Sequence, residues 1–232
     1  MNRAQQQGLS LVELMLAMTV GLLLMGFIIQ AFVANKAANR FNDALSHVQE
    51  SGRYGIDLLR SEIRMSGYRL DPTTAPVANA LVHADNTGSN DSDSLTIRYQ
   101  ADVNGTDCVG NPIVVGGVIT NTFDVRVSND LTRSRPSLFC NGVEILPGVE
   151  NMQFEFGEDL TGDGAANSYV ANGANMNNVV AVRVAILLVT EDNVGSETEG
   201  RRYSLLSQLP LDPFDDKRLR RVFSLGVVIR NN

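Results

Sequence analysis

The sequence predicts an α+β fold: a long N-terminal helix whose second half packs onto a C-terminal antiparallel β-sheet head. Three observations support this prediction. An apolar run lies near the N-terminus, a helical repeat of apolar residues follows it, and short alternating segments fill the rest of the chain. A length of 232 residues suits one sizeable domain with an appendage.

The apolar run is long enough to cross a bilayer. Between Leu9 and Ala34 the only ionisable side chain is that of Glu13. A helix of about 20 residues covers the hydrocarbon core, so residues 14–33 are the predicted transmembrane segment. A secretory signal has a shorter apolar stretch and a cleavage site of small residues after it, whereas Asn35 and Lys36 follow here. A plain signal anchor would explain the length of the run but not the carboxylate.

Glu13 is the informative residue of this segment. A carboxylate at the centre of a membrane helix costs roughly 2.5–3.5 kcal/mol on insertion scales, and less toward the helix end. The neighbouring side chains carry no positive charge. The partner of Glu13 must therefore come from a chain terminus or from another subunit. The alternative is that Glu13 lies at headgroup depth and reaches water.

The predicted helix continues beyond the apolar run. From Phe41 to Ile63, apolar residues and one glycine recur at spacings of three and four, and charged or polar residues lie between them. This pattern is typical of an amphipathic helix with one buried face. Gly67 and Pro72 mark a plausible end. We therefore predict one helix over residues 9–69.

The rest of the chain, residues 70–232, is the predicted head. Five segments have the alternation or the apolar run that is typical of strands: residues 94–99, 122–128, 152–156, 179–190 and 222–229. Glycine, asparagine, aspartate and serine cluster between them. An antiparallel sheet that covers one face of the helix is the expected arrangement.

One segment of the head has the pattern of a calcium loop. Asp159, Thr161 and Asp163 occupy alternating ligand positions, and Gly164 follows where such a loop turns sharply. The twelfth position holds Val170 instead of the usual bidentate glutamate. Calcium binding and a glycine-rich turn without an ion are both open interpretations of this segment. No other cofactor is expected.

The sequence has no signature of an enzyme or of a nucleic-acid binder. The sequence has no nucleophile–histidine pairing and no phosphate-binding loop. His47 and His83 have no other potential metal ligands near them at the spacing of a metal-binding motif. The basic run at residues 217–221 belongs to a chain of net charge −7 and has no interleaved aromatic residues. We interpret that run, and the smaller one at residues 201–202, as solvated strand edge, so nucleic acid is not an expected partner.

The N-terminal residues 7–15, Gln-Gly-Leu-Ser-Leu-Val-Glu-Leu-Met, resemble the type IV prepilin signal. The resemblance implies that prepilin peptidase cleaves between Gly8 and Leu9 and that Leu9 is then N-methylated. Residues 1–8 would be the leader, and Glu13 would be the fifth mature residue. The family usually has phenylalanine where this chain has Leu9, an exchange of one apolar residue for another.

The physics of this motif agrees with the resemblance. Cleavage before Leu9 would create an α-amine four residues ahead of Glu13. An amine and a carboxylate about 4 Å apart attract by roughly 4 kcal/mol at an effective dielectric constant of 20. In a filament, the amine of an incoming subunit can meet Glu13 of its neighbour and set the axial register. Glu13 is therefore the predicted assembly residue.

Further stretches are similar to the PilW family of minor type IV pilins: residues 51–60, 62–68, 148–157, 162–164 and the end of the chain from residue 221. The resemblance implies a type IV pilin-like fold. It also implies a low-abundance structural subunit that takes part in initiating pilus assembly, in a tip complex with other minor pilins. Such a subunit supports pilus-dependent functions such as twitching motility, adhesion or DNA uptake.

The same resemblance implies the partners and the location of the protein. The partners would be other minor pilins, the major pilin, prepilin peptidase, the inner-membrane pilus assembly platform and the lipid bilayer. Before assembly the chain would span the inner membrane once with a periplasmic head, and after assembly it would belong to a surface pilus. The alternatives are a J-type minor pseudopilin of type II secretion and a membrane-anchored binding domain outside any filament.

Cys108 and Cys140 both lie beyond the membrane segment. In a pilin they would reach an oxidising periplasm, so we expect an intrachain disulfide. Closing the loop between them would stabilise the fold by roughly 3–4 kcal/mol on the chain-entropy estimate. Two free thiols are the alternative.

Overall fold

The computed structural model describes residues 10–127 and 135–229. The chain divides into two compact units, Met1–Asp43 and Ala44–Asn232, which are described separately. Helix α1, Leu11–Met65, contributes residues to both units.

In the first unit, every described residue from Ser10 to Asp43 is exposed. Leucine, methionine and alanine dominate this part of α1, and they are strong helix formers. Glu13 lies in the first turn of α1, where a negative charge complements the helix dipole. The first unit therefore presents its apolar side chains to the surroundings rather than to a core of its own.

Helix α1 ends at Met65 with a local hydrogen-bonded turn. The Tyr68 N–H donates to the Met65 carbonyl over 2.9 Å. Gly67 has φ of 72°, in the left-handed region that glycine adopts at a helix end without steric cost. Gly67 therefore stops the helix, as the sequence indicated, but the helix ends at Met65, four residues before the predicted bound of residue 69.

The described residues of the second unit form two antiparallel sheets. The first sheet has the order β1-β2-β3-β4-β5 and comprises β1 (Leu81–Ala84), β2 (Ser94–Gln100), β3 (Val118–Val127), β4 (Pro136–Cys140) and β5 (Val143–Pro147). The second sheet has the order β7-β6-β8-β9 and comprises β6 (Val149–Glu158), β7 (Ser168–Val170), β8 (Val179–Val189) and β9 (Arg220–Val228). Short 3-10 turns lie at Ser89–Asp91 and Met176–Asn178.

The predicted α+β class is confirmed, with a refinement of the head. The five predicted strands correspond to β2, β3, β6, β8 and β9. The head contains two sheets rather than one, and the sequence analysis missed β1, β4, β5 and β7. Strands β1 and β7 have four and three residues, too few to establish an alternation.

The core of the second unit joins the last turns of α1 to both sheets. Four apolar side chains of α1 are buried in it: Val48, Ile56, Leu59 and Ile63. They belong to the same cluster as apolar residues of β2, β3, β6 and β8. The helical spacing of three and four residues therefore does mark the buried face of α1.

Strand β6 is buried on both faces, although its sequence alternates. Phe154 and Phe156 are fully buried, and polar residues of the other face such as Gln153 and Glu155 are buried too. Groups of other segments bind these side chains: the Gln153 side-chain amide donates to the Asp91 carbonyl, and Glu155 accepts from the Ser207 N–H. The Gln153 Oε1 atom has no hydrogen-bond partner among the described residues. Loops therefore cover the face that the alternation predicts to be exposed.

Candidate functional site

By length and composition, α1 is the one helix in the described part of the chain that can cross a membrane. Glu13 is exposed in its first turn, and the nearest basic residue along α1 is Lys36, about six turns away. Gly8 and Leu9, the predicted cleavage residues, lie outside the described residues. The assignments of Gly8, Leu9 and Glu13 to processing and assembly stay predictions.

Two glycines let the second half of α1 approach the sheets closely. A Cβ atom on Gly52 would overlap the Phe223 ring of β9. A Cβ atom on Gly55 would lie 2.7 Å from a Leu146 methyl group and 3.1 Å from one of Ile186. These distances are below normal van der Waals contact, so only glycine fits at both positions without movement of the neighbouring side chains.

A polar link joins α1 to the first sheet. The Asn121 side-chain amide donates to the Glu62 carboxylate over 2.8 Å, and the Tyr99 hydroxyl lies 3.5 Å from the same oxygen. Burial raises the pKa of Glu62, and the hydrogen bonds from Asn121 and Tyr99 oppose that rise. Asn121 also accepts the Cys108 N–H, so the link reaches the cysteine-bearing loop.

Cys108 and Cys140 form a disulfide, as the sequence analysis expected. Their Cα atoms are 6.3 Å apart. Cys140 is the last residue of β4 and is fully buried, opposite Phe123 of β3. The disulfide therefore ties the loop between β2 and β3 to the middle of the first sheet.

The prediction of a solvated basic edge at residues 217–221 is wrong for Arg220. Its side chain is only 1% exposed and donates to Glu150 over 2.6 and 3.0 Å and to Asp216 over two distances of 2.7 Å. The Phe214 ring stacks on its guanidinium, 3.8 Å away. Burial opposes ionisation of Arg220, but the bonds and charges of Asp216 and Glu150 outweigh burial and raise its pKa.

The proposed calcium loop folds around the carboxylate of Asp159. Its two oxygens accept the backbone N–H groups of Thr161, Gly162 and Gly164 over 3.0, 2.6 and 2.7 Å. These hydrogen bonds, above all the one from the Gly164 N–H, lower the pKa of Asp159. These bonds organise a tight turn. Calcium at Asp159, Thr161 and Asp163 stays a prediction, because the geometry of this turn does not require an ion.

The structure also brings together residues that the sequence analysis did not connect. His83, the last residue but one of β1, has Asp85 and Asp93 as neighbours, and one ligand atom of each lies within 4.8 Å of the others. The sequence analysis found no potential metal ligands at a suitable spacing from His83. The His-x-Asp pattern at residues 83–85 was the one feature of the sequence that could have indicated a metal site here. Asp93 comes close to His83 and Asp85 only because β1 pairs with β2.

Comparison with known proteins agrees with the features of the N-terminus and of the head. The family described as Prokaryotic N-terminal methylation motif matches residues 3–29, and the family described as Type IV Pilus-assembly protein W, PilW, matches residues 123–231. No curated protein matches the chain. Among solved structures, a type IV-like pilin from Thermus thermophilus is similar, with 16% identity over 83% of this chain and 96% of that chain and a TM-score of 0.47.

These features define the class of the protein. A methylation motif, an apolar N-terminal helix and antiparallel sheets packed on the second half of that helix are features of type IV pilin-like proteins. More particularly, the match over residues 123–231 confirms the resemblance of the head to the PilW family, and together with the methylation motif it makes the chain similar to minor type IV pilins. The similar stretches at residues 51–68 lie outside that match.

Proposed function

We propose that this protein is a minor pilin that takes part in initiating assembly of a type IV pilus, in a tip complex with other minor pilins. The observation that carries the proposal is the position of Glu13 in the first turn of an exposed apolar helix, within the matched methylation motif. The match to PilW over the head supports a pilus rather than a secretion filament.

The first step of the proposed mechanism is membrane insertion. Residues 14–33 hold the subunit in the inner membrane, with the head in the periplasm. Prepilin peptidase removes residues 1–8, and Leu9 becomes the methylated N-terminus. This processing exposes an α-amine within an apolar environment, where an ionic partner stabilises it strongly.

The second step is extraction into a filament. The apolar half of α1 has no buried residue of its own in the structure, so it needs either lipid or other subunits around it. Glu13 of one subunit and the amine of the next neutralise each other, an attraction of roughly 4 kcal/mol at 4 Å and an effective dielectric constant of 20. This pairing fixes the axial register as the inner-membrane assembly platform adds the major pilin.

The head supplies the specificity of such a subunit. A core that joins α1 to both sheets, together with a disulfide, gives a rigid head that can present the same surface to each neighbour. A complex of minor pilins at the tip would lower the barrier to the first additions of major pilin. Twitching motility, adhesion and DNA uptake are the pilus-dependent functions that such a complex would support.

Mass spectrometry of the mature N-terminus tests the processing step. We expect a methylated Leu9 as the first residue. An intact Met1 end would contradict the filament function and favour a membrane-anchored binding domain.

Replacement of Glu13 tests the assembly step. Glu13→Ala should be inserted and cleaved almost normally but should be depleted from sheared pili and should reduce piliation. Glu50→Ala, which removes an exposed carboxylate from the same helix, is the matched control and should leave piliation unchanged. Normal piliation by Glu13→Ala would show that the proposed salt bridge is not needed. Loss of secretion with normal pili would indicate a pseudopilin.

A further inference from the structure

The cluster of His83, Asp85 and Asp93 has no part in the functions described above. We propose that it binds one divalent transition-metal ion, with Zn²⁺ as the preferred ion. The imidazole Nε2 of His83 and one carboxylate oxygen from each aspartate would be the protein ligands, and water would complete the coordination shell. The cluster lies entirely within the second unit of the chain.

The hairpin between β1 and β2 assembles this cluster. His83 lies in β1, and Asp85 is the first residue of the turn that follows this strand. In the register of the hairpin, His83 pairs with Leu95 and Ala84 pairs with Ser94. Asp93, the residue before Ser94, therefore comes opposite Asp85. Three potential ligands thus converge from two adjacent chain segments.

Two ligand atoms of the cluster lack the hydrogen bonds that buried polar atoms normally make. The His83 side chain is 3% exposed, and its Nε2 atom is buried without a hydrogen-bond partner among the described residues. The Asp85 Oδ1 atom is likewise buried without a partner in the described part of the chain. Nearly all buried polar side-chain atoms are satisfied in folded proteins, and an ion between these two atoms would satisfy both.

The distance between the first two ligands already fits a bound ion. His83 Nε2 lies 3.2 Å from Asp93 Oδ2, although it does not donate a hydrogen bond to it. For an ion about 2.1 Å from each atom, this separation gives an angle of about 100°, between the octahedral and tetrahedral values. The ligand atom that Asp85 offers lies within 4.8 Å of the other two.

Surrounding groups hold the carboxylates in place, as in established metal sites. Asp93 is fully buried and accepts the backbone N–H groups of Asn86 and Phe154 over 3.1 and 2.9 Å. Asp85 Oδ2 accepts the side-chain amides of Asn86 and Asn172 over 3.1 and 2.9 Å. These bonds leave Asp85 Oδ1 without a hydrogen bond from the described residues.

The donor set selects the class of ion. One imidazole nitrogen and two carboxylate oxygens suit Zn²⁺ and, less strongly, Mn²⁺, whereas Ca²⁺ prefers six to eight oxygen ligands. A divalent charge also balances the two carboxylates. The bound ion would fasten the hairpin to β6, which carries Phe154, and to the loop that carries Asn172. Its role would be to stabilise the junction of the two sheets.

Calorimetric titration of the detergent-solubilised full-length chain, stripped with a chelator, tests the proposal. We expect one Zn²⁺ per chain, tighter binding than of Ca²⁺, and a higher midpoint of thermal unfolding with the ion present. Asp85→Asn keeps the shape of the side chain but removes its charge, and it should weaken Zn²⁺ binding at least tenfold. Circular dichroism checks that this variant folds.

Two control variants distinguish this site from other sources of binding. His47→Gln removes the other histidine, which is exposed, and Asp159→Asn removes the carboxylate that organises the predicted calcium loop. Both should bind Zn²⁺ like the parent chain. Absence of binding to the parent chain at millimolar Zn²⁺, equal affinity of Asp85→Asn, or loss of binding in His47→Gln would each overturn the proposal. In the first case the cluster would be a buried His83–Asp93 ion pair.

Discussion

Replacement of Arg220 by methionine is expected to destabilise the head strongly, although the side chains are similar in length. Arg220 is enclosed by Glu150 of β6, Asp216 of the preceding loop and the Phe214 ring. Methionine can refill the space along the Phe214 ring, but it cannot donate hydrogen bonds. The substitution therefore removes the positive charge and its four hydrogen bonds but keeps most of the packing against Phe214.

The magnitude follows from the exposure of the two acidic partners. The Asp216 side chain is 28% exposed, so water can solvate it after the substitution. The Glu150 side chain is 7% exposed and would be left as an uncompensated buried charge. Breaking a buried ion pair by removal of one partner costs about 3–5 kcal/mol. We expect a loss of this size in the free energy of unfolding.

Urea denaturation of the detergent-solubilised chain, followed by circular dichroism, measures this loss. Arg221→Met is the matched control, because Arg221 is the exposed neighbour in β9, and its stability should stay within about 0.5 kcal/mol of the parent chain. The double variant Arg220→Met/Glu150→Gln should recover a large part of the loss, since no buried charge remains. A loss below about 1 kcal/mol in Arg220→Met, or no recovery in the double variant, would refute the reasoning.

Two further predictions concern the contact of α1 with the sheets. Gly52→Leu should lower the free energy of unfolding by about 1–3 kcal/mol, although leucine is the better helix former, because its side chain must displace the Phe223 ring. Glu62→Gln should stabilise the fold more at pH 7 than at pH 4. Burial raises the pKa of Glu62 above its ordinary value of 4.5, so the parent chain loses stability as the pH rises from that value through the raised pKa.

Each of these predictions has its own check. Arg53→Leu places the same side chain on an exposed position of α1 and should change the stability little, and a Gly52→Leu variant as stable as the parent would show that Phe223 moves without cost. For Glu62→Gln, the stability difference from the parent chain is measured by urea denaturation from pH 4 to pH 8. A difference that does not vary with pH would mean that Glu62 titrates normally in the fold.

The sequence was sufficient for the elements with long or strongly periodic patterns. The helix, its buried face at Val48, Ile56, Leu59 and Ile63, and the strands β2, β3, β6, β8 and β9 could be predicted, because side-chain spacing reports which face is buried. The short strands β1 and β7 could not be predicted, since four and three residues do not establish a period. The division of the head into two sheets depends on pairings between distant segments, which local patterns do not encode.

The candidate sites, too, divide into those that local sequence predicted and those that depend on contacts between distant residues. The prepilin-like motif with Glu13 is a contiguous signal, and the disulfide was expected from two cysteines and an expected periplasmic location. The burial of Arg220 was not predictable from a basic run, because its partner Glu150 lies 70 residues away in the chain. The burial of the polar face of β6 was not predictable for the same reason: the loops that cover it are distant in sequence.

The sequence by itself determined that this protein has a membrane-anchoring apolar segment with one carboxylate and a helix–sheet head, since hydrophobic length and periodicity are local properties. Only the tertiary structure decided which charged side chains are buried and which polar atoms meet. It placed Arg220 between two acids and brought Asp85 and Asp93 to His83. The physical reason is that burial and pairing of charges depend on contacts between segments far apart in the chain, and folding alone creates those contacts.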